Sequence, residues 1–554
     1  MSERQSSCFR DCFFSFLIPN LISSVFAIID TSVTSMLASR RLGDAVLSSL
    51  NAAVPVYLFL CALGSLLGSG AFYLAARAYG RADTKEGGRI ISASVWLAAA
   101  VSAVIMLLGL ALSPIIASLL APQGLQDMVL TYVRVVFAGS VPVIMAYMPF
   151  NFLRLVGKVR YSALAVVIMG SMNVLGVLVF VYLLDLGIAG SALSLVVSSA
   201  SVLISGFCFL MCGERGVKIR LIRPQFSLSR EVFRFGSPSA LNNLFLSLRI
   251  VMVNMLIPDP MLVIAAMINS ISDFAWCMPN SGVMNTASPL LGVLEGERDA
   301  KEAKGILRLA AKTALLICLA VTAALFVLAP FVSALFNVEA DSSFAIRCLA
   351  SSLIFSSLST LAASYFNAGG RILRSNLVIA LRLLILPVAS IIVLNALGLS
   401  VWLFLPVSEI LTALIAALLM RLTGQNEAEG QVLKKEIRAV EDEICEASAS
   451  VSAWAEEENA PVKTAMTIGL GIEEIMMVMK DHSLTADDTI SIRLAMYSDV
   501  IILTLRTGGR YFNPLAVLDD SDEYMGIRMI ERMASEVSYQ DTLGLNTFIL
   551  KMRR

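Results

Sequence analysis

Residues 80–86 read Gly80-Arg-Ala-Asp83-Thr-Lys85-Glu86, and residues 296–302 read Gly296-Glu-Arg-Asp299-Ala-Lys301-Glu302. The two heptapeptides lie about 215 residues apart, and a second pair keeps nearly the same offset: Gly157-Lys-Val-Arg160-Tyr-Ser162 and Gly370-Arg-Ile-Leu-Arg374-Ser375. Pro19 and Pro238 begin the two halves at comparable places. Self-similarity at a fixed separation marks a duplicated architecture. Between the copies lie six apolar segments, each of about 20 residues, the length that crosses a hydrocarbon layer about 30 Å thick. An even number of crossings leaves both copies in one orientation, so an axis along the membrane normal relates the halves. Two like bundles facing a central cleft form an alternating-access architecture.

The rest of the chain extends this pattern. Twelve apolar segments fall between residues 13 and 421, among them 13–38, 49–74, 232–257 and 262–290. Only 15% of the 554 residues are charged and the mean hydropathy is +0.79, whereas soluble domains carry about 25% charge. A soluble enzyme is therefore excluded for most of the length. Inside a bilayer every backbone group needs an internal partner, so each segment is expected to be a helix. Lys and Arg collect on the even-numbered connections, with Arg77, Arg81, Lys85 and Arg89 after the second segment and Arg298, Lys301, Lys304 and Arg308 after the eighth. By the positive-inside rule both termini are cytoplasmic, in a plasma or inner membrane. The apolar run from Phe13 lacks a small-residue cleavage site and reads as a first span, not a signal peptide.

The formal net charge of zero hides two opposite parts. Residues 425–554 hold 23 Asp/Glu and 13 Lys/Arg, and the residues before them hold 19 and 29. The overall balance argues against a nucleic-acid partner, and nine scattered Cys with one His, His482, offer no metal site. The expected fold is an all-α polytopic membrane protein of twelve transmembrane helices in two six-helix repeats, followed by a small α/β sandwich. Its divisions are a first lobe at 1–212, an inter-lobe loop at 213–231, a second lobe at 232–422, a linker at 423–433 and a cytoplasmic domain at 434–554. An acidic tail beneath basic loops predicts that the two dock through those opposite charges.

Ionisable residues inside spans cost at least about 2.5–3.5 kcal/mol, so each marks a candidate site. Asp30 sits among Ile28, Ile29 and Val33 in the first segment, where a carboxylate can take up a proton or cation and release it when the cleft opens to water. In the second lobe Arg249, Asp273, Arg382 and Glu409 fall on successive segments, and their signs suggest Arg249–Asp273 and Arg382–Glu409 pairs, since a lone buried charge is costly. The other reading of these four is a second coupling or substrate site.

Residues 10–422 resemble the multidrug and toxic compound extrusion (MATE) transporters. The resemblance rests on Pro19 through Asp30-Thr31, Ala78-Tyr-Gly80-Arg-Ala-Asp83, Asn151-x-x-Arg154-x-x-Gly157, Asn173 with Gly187-x-x-Gly190, and Ser288-Pro-Leu-x-Gly292 with Gly296-x-x-Asp299. It implies cation-coupled export of small amphipathic compounds, cationic ones among them, by rocking of two lobes in the lipid bilayer, with no catalysis and no required cofactor. It places Asp30 at the family's acidic position, with Asn173 and Asn151 as polar neighbours. The family often has a second acid four residues after the Asn; here that residue is Val177, which favours H+ over Na+ as the coupling ion. A lipid-precursor flippase shares the two-lobed logic.

In the tail, a charged amphipathic helix is expected near 434–458 and a second helix from Val462 to about Met479. Strands are expected at Thr489–Tyr497, Val500–Leu505, Glu536–Tyr539 and Leu545–Met552, with a helix near 524–535. The order resembles the GHKL ATP-binding fold of anti-sigma-factor serine kinases, with Glu473-Glu474 on the helix, Gly508-Gly509 at the adenine loop and Gly526 in the later Gly-rich turn. The resemblance implies a nucleotide site at Glu474, Gly509 and Gly526. Val478 stands where that family has its Mg2+-binding Asn and Thr507 where it has an Asp, so the tail reads as a degenerate fold kept for regulation, with ATP binding left open. The remaining reading of the chain is a membrane-anchored signalling regulator whose tail binds a cytoplasmic protein.

Overall fold

A computed structural model describes residues 7–81, 83–120, 125–212, 226–257, 261–335, 341–422, 431–516 and 524–554. Most of the inter-lobe loop (213–225), the linker from 423 to 430 and the short connections at 121–124, 258–260 and 336–340 lie outside the described residues. The first half comprises α1 (Ser7–Gly80), α2 (Thr84–Leu120), α3 (Gln126–Ala138), α4 (Ser140–Met145), α5 (Tyr147–Leu155), α6 (Val159–Val177) and α7 (Gly187–Met211). The second comprises α8 (Phe226–Leu256), α9 (Leu262–Trp276), α10 (Val283–Gly296), α11 (Ala300–Leu335), α12 (Asp341–Ala368), α13 (Ile372–Ala380), α14 (Leu386–Ala396) and α15 (Phe404–Arg421). Helical backbone runs through Arg40-Arg41, where a loop between two spans was expected, in a stretch with one Gly and no Pro. The second lobe likewise begins at Phe226, earlier than expected.

Among the described residues, nine helical stretches are long and apolar enough to cross a membrane. A tenth is added if the pair Gln126–Ala138 and Ser140–Leu155, bent by 56°, counts as one span. The expected spans at 232–257 and 262–290 are not among these stretches, and Asn242, Asn243, Ser270 and Asp273 on them line an internal cavity.

The repeated motifs have physical explanations. The Asp83 carboxylate accepts the Glu86 N–H at 2.9 Å and that of Asp299 accepts the Glu302 N–H at 3.1 Å, so each heptapeptide caps the helix that follows it. Gly80 and Gly296 meet across the two halves, where a Cβ on either would lie 2.9 Å from the other's Cα. Gly70 against the Val232 carbonyl, and Gly236 against that of Leu66, extend this close approach along α1 and α8, as small residues do between membrane helices. Gly157 (φ 75°) and Gly370 (φ 72°) end their helices in the left-handed conformation that glycine adopts without strain.

The tail is an antiparallel sheet in the order β1-β2-β3-β5-β4, formed by β1 (Gln431–Arg438), β2 (Thr489–Met496), β3 (Val500–Thr507), β4 (Glu536–Thr542) and β5 (Leu545–Arg553). Helices α16 (Glu441–Glu457), α17 (Val462–His482) and α18 (Met525–Met533) cover one face, sharing a core with Ile492, Leu494, Leu503, Leu505, Phe548 and Leu550. The expected helix at 434–458 begins instead at Glu441, and the domain starts at 431. Residues 431–438 alternate as a strand does: Leu433 and Ile437 face that core while Lys434 points the other way.

That other face is covered by the membrane part. Arg506 and Glu297 form a buried ion pair, Lys434 pairs with Asp299, and the Arg493 Nη2 donates to the Glu297 carbonyl at 3.1 Å. These contacts reach the second half. The β4–β5 turn reaches the first, where the Leu543 N–H donates to the Leu155 carbonyl at 3.0 Å and Gln540 Nε2 to that of Tyr79 at 3.1 Å. Docking through opposite charges thus occurs with the polarity reversed: basic residues of the sheet meet acids of the 296–302 connection. The expectation from net charge failed because only one face of the sheet touches the membrane part, and its alternation places arginines there.

A Cβ on Gly157 would overlap the Gly544 backbone, and the left-handed φ adds about 1–2 kcal/mol for a non-glycine residue. Gly157→Val is expected to release the β4–β5 turn. Amide exchange of 536–553 should speed up at least tenfold while exchange in α16 and α17 stays unchanged.

Candidate functional site

Between the two halves lies a cavity of about 920 Å³. Its walls mix apolar side chains with many serines and asparagines, and the charged residues lining it are Arg154, Asp273 and Arg382. Serines and asparagines occupy it because helix positions facing a cleft cannot be lipid-like. They also tie the halves together: Tyr73 Oη lies 3.4 Å from Ser288 Oγ and 3.2 Å from Ser364 Oγ, Asn20 Nδ2 donates to Thr286 Oγ1 at 3.1 Å, and Asn243 Nδ2 to Ser65 Oγ at 3.0 Å. Two wall segments are π-helical turns, Cys277–Gly282 with Pro279 and Leu381–Ile385 just before Pro387. Such turns re-aim side chains, and functional sites are where they are often found.

Asp30 is 7% exposed and sits behind the wall formed by Ala27, Ile28 and Thr31. Its carboxylate accepts the Asn173 amide at 3.1 Å and 3.3 Å, and Gly170 on α6 leaves room for it. The Asn173 Oδ1 is buried with no hydrogen-bond partner. One carboxylate and one orphaned amide oxygen can share a proton, and they make a thin cage for a metal cation. Val177 is buried beyond them and adds no oxygen. Asn151 stands apart from this pair: it lines the cavity and donates to the Tyr147 carbonyl at 2.9 Å.

In the second half Arg382 Nε lies 3.2 Å from Glu409 Oε1, and the same guanidinium donates to Thr360 Oγ1 at 2.7 Å and Ser356 Oγ at 2.6 Å. The expected Arg249–Asp273 pair does not form. Asp273 is on the cavity face of α9, while Arg249 is buried with its guanidinium 5.1 Å from the Trp276 ring centre. Arg382 approaches the same ring at 5.6 Å, so Trp276 is within cation–π distance of two guanidiniums. Sequence reasoning by charge missed Trp276, Tyr73, Ser288 and Ser364. The signal available for Ser364 was the density of serines in α12, too many for a lipid-facing helix.

Comparison with known proteins follows the same outline. A model of the MatE family matches residues 17–182. The multidrug export protein MepA of Staphylococcus aureus (strain MRSA252) is 24% identical over 243 residues, covering 43% of this chain and 53% of that protein. Its namesake from Staphylococcus haemolyticus (strain JCSC1435) is 22% identical over 257 residues, covering 45% and 56%. The chain thus spans about half the length of the curated relatives it matches. A crystal structure of a MATE protein in complex with MaL6 superposes with a TM-score of 0.70 at 20% identity, over 75% of this chain and 96% of that one. A MOP superfamily transporter from Pyrococcus furiosus gives 0.69 at 21%, over 76% and 98%. The chain is thus similar to the MATE family in sequence over residues 17–182 and has the fold of MATE structures over 75% of its length. The matched relatives are export proteins, not enzymes, and residues 431–554 lie beyond the matched family domain.

The residues expected at a nucleotide site in the tail make contacts of their own. The Glu474 carboxylate packs directly on Gly526, where any Cβ would overlap it. Gly509 takes φ 79° against the Ser483 carbonyl, and Asn546 Nδ2 holds that loop through the carbonyls of Gly508 at 3.0 Å and Arg510 at 2.9 Å. Val478 presents no oxygen to a hard cation, and the buried Thr507 Oγ1 has no partner. Glu474 and Gly526 are therefore brought together, while Gly509 packs separately on Ser483 and Leu484.

Breaking the buried Arg382–Glu409 pair from one side leaves an uncompensated charge, at about 3–5 kcal/mol. Arg382→Met is expected to lower the melting temperature of the purified protein sharply. Adding Glu409→Leu should recover most of the loss, which thermal unfolding of both variants will show.

Proposed function

We propose that the chain is a cation-coupled exporter of small amphipathic compounds, working by alternating access, with H+ as the coupling ion. The observation that carries this reading is the serine- and asparagine-rich cavity between two lobes with Asp30 behind its wall, held among the described residues by Asn173. Protonating Asp30 removes a buried charge and weakens its grip on Asn173, a change that α1 and α6 would both feel. The family relationship supports the export direction, as do relatives described as multidrug export proteins. We count twelve spans by adding the cavity-lining helices at 226–256 and 262–296 to the ten apolar ones, with both termini in the cytoplasm and the chain in the plasma or inner membrane.

The tail acts in this scheme as a regulatory clamp of degenerate GHKL type. It holds Leu155 and Tyr79 of one lobe and Glu297 and Asp299 of the other, so lobe separation at that end has to break its contacts. Burial alone would raise the Asp299 carboxyl, but Lys434 and Arg493 outweigh it and hold the group below the usual carboxylate range. A depressed carboxylate stabilises docking above its unfolded pKa and loses that contribution as pH falls through its folded one, so the clamp holds at neutral pH and loosens below about 4. Because the ion pairs are buried, salt screens them weakly.

Two experiments test these readings. In proteoliposomes, Asp30→Asn is expected to cut proton-gradient-driven efflux at least tenfold with insertion intact; full transport by that variant overturns the coupling role. Arg506→Glu is expected to undock the tail and change the efflux rate, and Glu297→Arg in the same chain to restore both. An efflux rate indifferent to undocking would leave the tail no regulatory part.

A further inference from the structure

Arg154 lines the cavity from the last turn of α5, next to Leu155, whose carbonyl is held by the tail. The residue is 4% exposed, and its Nε and Nη2 are buried without any hydrogen-bond partner. No acidic side chain pairs with it among the described residues. Its guanidinium carbon lies 3.7 Å from the centre of the Phe150 ring, its one recorded contact of this kind.

Arg382, on the same cavity, shows how this protein satisfies a buried guanidinium that holds helices together, with a carboxylate and two hydroxyls around it. A cation kept only to complement the end of α5 would donate to a terminal carbonyl, and Arg154 donates to none among the described residues. Burial of an unpaired charge is costly, so an unpartnered guanidinium in the wall of a cavity is complementary to an anion entering it. Guanidinium matches carboxylate and phosphate geometry through two parallel N–H donors, and two of the nitrogens here are idle.

We propose that Arg154 is the anion-binding site of the cavity, pairing with a carboxylate, phosphate or sulfonate group on an amphipathic substrate whose chain lies along Phe150. The proposal rests on the reading of the cavity as a substrate site and names the substrate class: amphipaths bearing an anionic group. Asp273 is the other charged cavity residue outside any ion pair among the described residues, on the opposite half, and it leaves room for a cationic group at the far end of the same ligand. Arg249, also stacked on an aromatic ring, is not a lining residue and takes no part.

The test uses full-length protein in phosphatidylcholine nanodiscs and two probes of one chain length, N-dodecanoylglycine and its neutral glycinamide. The acid is expected to bind at least tenfold more tightly than the amide. Arg154→Gln should bring that ratio to about one with amide affinity unchanged, and Arg154→Lys should keep at least a threefold preference. Equal affinities in the wild type, or a preference that survives in Arg154→Gln, overturn the proposal. A diazirine-tagged acid provides a readout without any variant: labelling of the Phe150–Leu155 peptide supports the site, and labelling elsewhere overturns it. Competition by inorganic phosphate, phosphatidylglycerol or neither distinguishes a free anion, a lipid headgroup and a soluble amphipath as the source. Proteoliposome flux of the acid is read separately. Preferential binding without flux contradicts the export reading and leaves the site standing.

Discussion

The two halves of the membrane part touch backbone to backbone at Gly80 and Gly296, and much of the remaining structure follows from that contact. No residue with a side chain fits there without separating α1 from α10. Because the same two glycines begin the duplicated heptapeptides, the contact lies where the repeat brings equivalent positions together. The Asp three residues later then starts the next helix, so a close approach and a chain reversal occupy seven residues. Away from this end, serines, asparagines, a threonine and a tyrosine tie the facing surfaces by hydrogen bonds that can be exchanged for water when the cleft opens.

The tail docks at the end where the glycines meet. Its sheet has one apolar face, covered by three helices, and one face on which Arg493, Arg506 and Lys434 stand out among small and polar residues. The acids that receive them, Glu297 and Asp299, belong to the second heptapeptide, while the β4–β5 turn sits on Gly157 of the first half. One rigid sheet therefore spans the line along which the lobes have to part. Its strongest ties are buried ion pairs, which are costly to leave unpaired and so tend to be made or broken together.

Much of the fold was legible because membrane crossing leaves a long apolar signature, and because duplication leaves a repeat. The site was legible where it is charged. Asp30, and the pairing of Arg382 with Glu409, could be named from sequence because a buried charge has few alternatives, while Asn173 was placed beside Asp30 by the MATE resemblance. Arg249 and Asp273 could not be assigned the same way, since their partners depend on which face of each helix turns to the cavity, and the π-turns at Cys277–Gly282 and Leu381–Ile385 shift those faces by an amount no periodicity reports. The tail's docking polarity was hidden for a related reason. Net charge sums over every surface, but contact is made by one face of one sheet. The start of the tail at Gln431 was missed because Gln-Val-Leu-Lys-Lys-Glu-Ile-Arg carries enough charge to resemble a helix, although its alternation is that of an edge strand.

A tail that clamps the two lobes together where Gly80 meets Gly296 has a direct physical signature in the distance between them. Spin labels on Arg81 and Arg298, in a chain whose native cysteines are replaced, report the separation at that end by double electron–electron resonance. One short distance population is expected with the tail docked, and a second, longer population when Arg506→Glu releases it. A distance distribution unchanged by release of the tail would contradict the clamp.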